Sequence, residues 1–328
     1  MKILYVDLQY DYGIKERGKN IIGLDGFKQS LEELGHDIIT FFYDDYLTNL
    51  LPMQHKLMDY ADQVKPDLIF FSLFADQFEV STLDYLKSKY TTINWFGDDQ
   101  WRFDNFTCKY LNHFSYCVTT DKFTIPKYKK LGQNNIIYSQ WAAVNTHEIP
   151  NFKEYRYDVS FIGAYHPYRK WFIDTLQKQG INIKAFGNGW ENGSLTAKEM
   201  NELFSSSKIN LNIGNSISFD SRYLFSGIKP FINSLRSPKV SSQIKARNFE
   251  IPYFNGFQLT DYAPTIENYF DLGREIICYK DIDEAALLIK YYLENDEERE
   301  IIKNNAHTKA ILEHGYINRL KDILEKIV

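Results

Sequence analysis

The sequence predicts two α/β domains, each built around a doubly wound parallel sheet. Short apolar runs alternate with stretches of helical periodicity from the first residues onward, which is the pattern of βαβ units. The same alternation starts again near Tyr157. A chain of 328 residues also suits two domains of roughly 150 residues each.

The first half of the chain begins with a clear strand–helix–strand unit. Residues 2–8 have the composition of a buried strand, and residues 26–34 have helical periodicity that stops at Gly35. The remaining strands of this half are predicted over residues 36–43, 65–72, 92–96, 116–119 and 135–138, with helices over 81–90 and 126–131. We therefore expect a first Rossmann-like domain over residues 1–145.

The second half repeats this pattern and predicts a second Rossmann-like domain over residues 146–328. Its predicted strands cover residues 157–163, 183–186, 209–213, 257–260 and 276–279, and its helices cover 168–179, 196–207, 240–249 and most of the chain after 282. Thr196 and Glu199 have the spacing of a capping box at a helix start. Residues 214–237 show no clear period and predict a loop.

Composition and charge exclude several classes of protein. Lys and Arg number 38 against 43 Asp and Glu, a net charge of −5, whereas nucleic-acid-binding proteins usually carry a basic footprint. The three cysteines have no metal-ligand spacing, and unpaired cysteines suit a reducing cytoplasm. No apolar run reaches the roughly 18 residues that span a bilayer, and a signal-peptide pattern is absent. We expect a cytoplasmic protein without stable membrane insertion.

The loops that follow strands carry the candidate site residues, because ligands of open α/β sheets bind beyond the carboxyl ends of the strands. Gly163 ends a predicted strand, Tyr165 lies in the following loop, and Arg169 begins the next helix. A glycine lets the backbone approach a ligand, and a helix start beside an arginine suits a diphosphate. A tight turn with solvated basic residues is the structural alternative.

Two further strand ends in the second half have candidate residues. Gly187 and Asn188 suit close approach to a base or a ribose, or alternatively a turn that requires positive φ. Asn212 alternates with Asn210 on a strand, so both amides lie on one face. This pair predicts either ligand contacts or a structural polar ladder.

A predicted helix of the second half places a cation and a carboxylate on one face. Arg247 and Glu250 lie three residues apart, and Lys245 precedes them. One interpretation is a salt bridge. The functional interpretation is that the cations bind phosphates and that Glu250 accepts hydrogen bonds from ribose hydroxyls.

An acidic pair follows a strand in the first half. An adjacent carboxylate pair such as Asp98 and Asp99 can act as a base on a hydroxyl, whereas a helix cap or a salt bridge is the structural alternative. The other residues expected on this side of a cleft are Gln9, Tyr10, Trp101 and Arg102.

Taken in order, the motifs of the second half resemble the CgeB-like (spore-maturation type) glycosyltransferases, which are related to group 1 glycosyltransferases. The matching segments are residues 157–163, Arg169, 186–190, 208–212, 247–252 and 259–261, and residues 273–276, 313–314 and 316–319 match the family's ending. The first half is similar to the family only in its general layout.

The resemblance implies a GT-B architecture, in which two Rossmann-like domains face a cleft and the final helix returns to the first domain. It implies a nucleotide-diphosphate sugar as donor, with a UDP-sugar favoured, and neither a cofactor nor a metal. Group 1 enzymes often carry two glutamates with seven residues between them, the second contacting ribose. Glu250 fits the second glutamate, whereas Ser242 stands where the first is expected.

The prediction is therefore a metal-independent glycosyltransferase, either hexosyl- or pentosyltransferase, whose family relation favours retention of configuration. Asp98 or Asp99 faces the acceptor hydroxyl, which belongs to a polysaccharide, a glycolipid, a protein or another molecule. The predicted donor-binding residues are Gly163, Tyr165, Arg169, Gly187, Asn188, Asn212, Lys245, Arg247 and Glu250. Two alternatives stay open: a glycosyltransferase that acts on modified bases of viral DNA, and an inactive GT-B protein that only binds a nucleotide or sugar.

Overall fold

The computed structural model describes residues 1–146, 148–150, 152, 154–214, 220–237, 239 and 241–327. The chain divides into two compact units, the first formed by residues 1–145 with 316–328 and the second by residues 146–315. Each unit contains one sheet with only parallel pairings.

The sheet of the first unit has six strands in the order β2-β1-β3-β4-β5-β6. Its strands are β1 (Lys2–Asp7), β2 (Asp37–Phe42), β3 (Leu68–Phe71), β4 (Thr91–Phe96), β5 (Tyr116–Thr119) and β6 (Ile136–Tyr138). The order is that of flavodoxin-like doubly wound folds, in which the direction of winding reverses between β1 and β3. Ligands of such sheets bind at this switch point.

Helices cover both faces of the first sheet. They are α1 (Gln29–Glu33), which continues a π-helical segment (Ile22–Lys28), α2 (Leu50–Val64), α3 (Val80–Lys89), α4 (Asp99–Arg102), α5 (Cys108–Tyr110) and α6 (Ile125–Lys130). A second π-helical segment (Phe103–Thr107) connects α4 to α5.

The second unit repeats the topology with five strands in the order β11-β10-β9-β7-β8. They are β7 (Tyr157–Ile162), β8 (Ile183–Phe186), β9 (Ser207–Asn212), β10 (Gln258–Asp261) and β11 (Ile277–Tyr279). Counted from its own first strand, this sheet has the same 2-1-3-4-5 order as the first. Its switch point lies between β7 and β9.

The helices of the second unit alternate with these strands. They are α7 (Pro167–Lys178), α8 (Ala197–Ser205), α9 (Ser221–Leu224), α10 (Ile228–Arg236), α11 (Ala246–Tyr253), α12 (Ile282–Glu294) and α13 (Asp296–Glu313). The last helix, α14 (Tyr316–Leu324), belongs to the first unit. In the described part of the chain, no helix combines the length and the apolar composition needed to cross a bilayer.

Alternation along β1 explains why the first unit has a core on each side of its sheet. Leu4 and Val6 pack into one cluster, and Ile3 and Tyr5 pack into the other, because successive strand residues point to opposite faces. The second cluster also receives Tyr316 of α14. The last helix therefore completes the hydrophobic core of the first unit.

The structure confirms the capping box and corrects two element predictions. Thr196 and Glu199 exchange both hydrogen bonds of the box at the start of α8. The loop predicted over residues 214–237 is wrong, because α9 and α10 occupy much of it, and residues 215–219 lie outside the described residues. The helix predicted over 240–249 begins only at Ala246, and its predicted first residue is also outside them.

Candidate functional site

The two glycine loops predicted as ligand-binding come together at the carboxyl edge of the second sheet. The Tyr165 N–H donates to the carbonyl oxygen of Asn188 at 2.8 Å, and the Gly163 N–H donates to Phe186 at 3.0 Å. Gly187 has φ of +125°, and a Cβ at this position would lie 2.3 Å from the Gly163 oxygen. Only glycine therefore permits this close approach of the two loops.

An aromatic pair stands beside these loops. The Trp190 indole N–H donates to the Gly163 oxygen at 2.8 Å. The rings of Trp190 and Tyr165 meet edge to face with centroids 5.5 Å apart, and Tyr165 remains 46% exposed. Tyr165 thus presents an anchored ring to solvent next to the loops.

Arg169 lies at the switch point of the second sheet. Its Nε donates to the Ile213 carbonyl beyond β9 at 2.9 Å, and its Nη1 donates to the Ala164 carbonyl beyond β7 at 3.0 Å. Burial lowers the pKa of this guanidinium to about 10. A half-buried cation that is bonded to carbonyls is stabilised by an anion placed next to it, so this geometry suits an anionic ligand.

Arg247, the second predicted cation, is close enough to Arg169 to affect its pKa. The charge of Arg247 further lowers the pKa of Arg169, whereas the charge of Asp261 opposes the shift. Arg247 Nη1 lies 3.0 Å from Glu250 Oε2, so the salt bridge between these two residues is present. Lys245, at the start of α11, donates its backbone N–H to Asn248.

The alternating asparagines form a polar ladder inside the second unit. The Asn210 amide donates to the carbonyls of Phe204 and Phe257 and is buried. The Asn212 amide donates to Gln258 Oε1 at 3.3 Å and to Thr260 Oγ1 at 3.2 Å. These hydrogen bonds make the pair a polar ladder that supports the central strands.

Asp261 is a half-buried carboxylate that sequence reasoning did not single out as a site residue. It accepts hydrogen bonds from Ser242 Oγ at 2.8 Å and from the Gly214 N–H at 3.0 Å. Burial raises its pKa. It lines a cavity of about 200 Å³ together with Tyr168 and Tyr279. Its position at the end of β10 was the available signal.

The first unit has its own cavity, of about 250 Å³, at the switch point between β1 and β3. Its aromatic lining consists of Tyr12, Phe27, Phe74, Trp95, Phe96, Phe106 and Trp141, and its polar lining includes Asp7, Asp11, Asn20, Asp98 and Arg102. Carboxylates outnumber cations in this lining. Aromatic faces, together with carboxylates that accept hydrogen bonds from hydroxyl groups, suit a polyhydroxylated ligand.

The two predicted acidic residues have different surroundings. Asp98 is half-buried and lines this cavity. Asp99 is only 2% exposed and accepts hydrogen bonds from three side-chain hydroxyls, those of Thr107 at 2.6 Å, Thr119 at 2.5 Å and Tyr128 at 2.6 Å. Burial raises the pKa of Asp99 to about 6. Asp99 therefore holds its loop in place, and only Asp98 reaches the cavity.

The other predicted residues of the first unit take supporting positions. The backbone N–H groups of Gln9 and Tyr10 donate to the Asp44 carboxylate at 2.7 and 3.0 Å. Arg102 lines the cavity, donates to the Phe74 carbonyl at 2.9 Å and lies over the Phe106 ring. Gln9, Tyr10 and Trp101 are not among the residues that line the cavity.

Asp7 is a further carboxylate of this cavity that sequence reasoning did not select. Its oxygens accept from the Tyr5 hydroxyl at 2.6 Å, the Leu8 N–H at 2.7 Å and the Asn20 amide at 3.3 Å. A Cβ on Gly23 would lie 2.3 Å from Asp7 Oδ2. Burial raises the pKa of Asp7 to about 7. The sequence feature that could have identified Asp7 is its position as an acidic residue at the end of the first strand.

Residues 169–325 match the family model described as glycosyl transferase-like. This part of the chain is similar to glycosyl transferase-like domains. The match supports the group 1 family of glycosyltransferases. A search of curated protein sequences finds no match to the chain.

Solved structures of glycosyltransferases share the fold of the whole chain. HepE of Anabaena, in complex with UDP-glucose, has a TM-score of 0.60 at 13% identity, covering 100% of this chain and 99% of its own. A glycosyltransferase from Rickettsia africae has a TM-score of 0.62 at 9% identity, and the match covers 99% of this chain and 97% of that enzyme. Sucrose-phosphate synthase from Thermosynechococcus elongatus has a TM-score of 0.58 at 7% identity, and the match covers 100% of this chain and 99% of the synthase. With the two parallel sheets, these likenesses confirm the two-domain Rossmann-like GT-B fold.

The raised pKa of Asp7 predicts a specific pH dependence of stability. An unfolded aspartate has a pKa of about 3.9, so the contribution of Asp7 to stability is fully present below that pH. This contribution is lost at about 1.4 kcal/mol for each pH unit as pH rises from the unfolded pKa to the folded pKa of about 7, and it does not change further above that pH. Asp7→Asn removes this loss, so the stability of the variant relative to the wild type should rise between about pH 5 and about pH 7 and stay constant at higher pH, as measured by urea unfolding.

Asp37→Asn is the matched control, because Asp37 is an exposed carboxylate in the same sheet. It should leave the pH dependence of the free energy of unfolding as in the wild type. Identical pH profiles for Asp7→Asn and the wild type would show that Asp7 ionises normally.

Proposed function

We propose that the chain is a glycosyltransferase that moves a sugar from a UDP-sugar to a hydroxyl acceptor, within the CgeB-like branch of the group 1 enzymes. The observation that carries the proposal is Arg169, a half-buried cation at the switch point of the second sheet. Its guanidinium is bonded to carbonyls beyond two neighbouring strands. The diphosphate of the donor supplies the anion that this environment favours.

The donor diphosphate binds between the starts of α7 and α11. Arg169 is in the first turn of α7, and Lys245 and Arg247 are at the start of α11. The N–H groups of a helix start attract negative charge. As the bond between the anomeric carbon and the diphosphate oxygen breaks, these cations stabilise the charge that develops on the leaving UDP.

The nucleoside and the sugar bind on either side of the diphosphate. Gly163, Gly187 and Asn188 bring backbone close to the base and ribose, and the exposed ring of Tyr165 stacks on the base. Glu250 accepts hydrogen bonds from the ribose hydroxyls while its other partner is Arg247.

We further propose that Asp261 takes over the contact with the sugar hydroxyls. Ser242 stands where group 1 enzymes carry their first glutamate, and its hydroxyl donates to Asp261. The carboxylate thus comes from the end of β10 in place of the segment that precedes α11. Asn212, whose amide is engaged by Gln258 and Thr260, supports this strand without touching the donor.

The acceptor binds in the cavity of the first unit. Asp98 accepts a hydrogen bond from the attacking hydroxyl, whose oxygen forms the new bond to the anomeric carbon on the same face from which UDP departs, so that the configuration is retained. The hydroxyl proton passes to the carboxylate, and UDP leaves. Asp7 holds a second acceptor hydroxyl, and Asp99 acts as a positioning residue through its three hydroxyl partners.

The first test is UDP binding, measured by titration calorimetry. Arg247→Ala should weaken UDP by roughly 10- to 100-fold, the usual loss for a hydrogen bond to a charged group. Arg169→Ala should weaken it at least as much. Both variants should keep the wild-type circular-dichroism spectrum.

Lys170→Ala is the control for these variants. Lys170 neighbours Arg169 in sequence but forms an exposed pair with Asp174, so UDP affinity should not change. Wild-type affinity in both arginine variants would remove the diphosphate assignment. Absence of UDP binding by the wild type would remove the donor class.

Asp98→Asn should separate donor binding from transfer. The variant should bind UDP as the wild type does. Release of UDP from UDP-glucose, with nitrophenyl glycosides as acceptors, should fall by about 10²- to 10⁴-fold. Asp104→Asn is the control, because Asp104 is exposed and pairs with Lys127. Equal turnover in wild type and Asp98→Asn would exclude this carboxylate from the reaction.

Transfer should proceed without a divalent cation and with retention of configuration. Arg169, Arg247 and Lys245 supply the positive charge that a metal provides in other enzymes. UDP release should be the same in EDTA as in magnesium, and proton NMR should show the anomeric configuration of the donor in the product. A stimulation by magnesium or an inverted product would contradict the respective proposal.

A further inference from the structure

Phe225 and helix α10 form a segment, residues 225–236, whose large apolar side chains are unusually exposed. Phe225 is 81% exposed, Ile228 80% and Leu235 73%, and Phe231 and Ile232 between them are also exposed. Single exposed apolar residues are normal on protein surfaces, and Leu287 of α12 is one. Five within eleven residues form a patch of the kind that marks an interaction surface.

The apolar residues of α10 lie on one stripe. Ile228, Phe231, Ile232 and Leu235 have the spacing of one helical face, and none of the helix's residues is buried. The stripe is therefore not turned into the core of its own unit. Phe225, just before the helix, extends the patch.

Cations border this stripe. Lys229 and Arg236 are exposed and lie seven residues apart on α10, which places both along the same side of the apolar face. From residue 221 to residue 249 the sequence contains six Lys or Arg and neither Asp nor Glu. The whole chain has a net charge of −5, so this basic segment contrasts with the rest.

We propose that α10, with Phe225, docks the protein on an anionic lipid surface. A helix with an apolar stripe and flanking cations lies in the membrane interface, where the apolar side chains enter the acyl boundary and the cations meet anionic headgroups. A second copy of this chain fits the segment less well, because a symmetric contact places its cations opposite each other.

Docking also specifies the acceptor, a step that rests on the proposed function. An enzyme held at a membrane meets acceptors whose hydroxyl is carried by a lipid or presented at the bilayer surface. This selects the glycolipid class from the acceptors that the sequence left open.

Vesicle flotation of the whole protein, without any sugar donor, tests the docking. The wild type should float with vesicles of about three parts phosphatidylcholine to one part phosphatidylglycerol, and not with phosphatidylcholine alone. Lys229→Gln with Arg236→Gln should weaken binding by roughly five-fold for each cation removed. Phe225→Ser with Leu235→Ser should abolish flotation.

Leu287→Ser is the matched control, since Leu287 is 70% exposed on another helix of the same unit. It should float as the wild type does, and all variants should bind UDP equally. Absence of wild-type flotation, or flotation unaffected by both double variants, would overturn the docking. So would self-association in light scattering that Leu235→Ser abolishes while vesicle binding is absent.

These results are separate from the test of the proposed function. Failure of vesicle binding with intact UDP binding removes only the membrane and the glycolipid acceptor. Failure of UDP binding with intact flotation removes the donor and leaves a membrane-docking protein.

Discussion

The reversal of strand order next to the first strand of each sheet is the constraint on which the candidate sites depend. In both units the chain winds one way from the first strand to the second, then the other way to the third. The loops that leave the two central strands therefore diverge and open a crevice. Arg169 stands at this point in the second unit, and Asp7 stands there in the first.

Both crevices contain a charge that burial disfavours. The backbone carbonyls around Arg169 and the three donors around Asp7 offset part of that cost without neutralising the charge. A charged group held in a low-dielectric environment interacts strongly with a ligand of complementary charge. Such groups are also costly to stability, which is a common property of functional sites.

The sequence was sufficient for the strands, because their apolar runs are short and bounded by glycines and polar residues. It failed for α2 and α10, which both have a proline in the first turn, Pro52 and Pro230. That position tolerates proline, but the residue interrupts the periodicity that predicts a helix. The sequence also could not predict that Asp98 lines the cavity while Asp99 is buried, because the hydroxyl groups that donate to Asp99 come from other elements of the fold. Asp7 is not predicted as a site residue, because its position at the end of a strand is the one feature of the sequence that indicates such a role.

The two units have one topology, and the proposed function assigns them two kinds of ligand. Their sheets have the same strand order, yet the crevice of the first is lined by more carboxylates than cations, whereas the second brings Arg169 and Arg247 together with Asp261 and Glu250. An anionic diphosphate is disfavoured beside Asp7 and Asp98 and favoured beside the two arginines. A neutral polyhydroxylated acceptor is favoured beside Asp7 and Asp98, since carboxylates accept hydrogen bonds from its hydroxyl groups. The assignment of donor and acceptor to the two units therefore rests on side-chain charge, which the shared fold leaves undetermined.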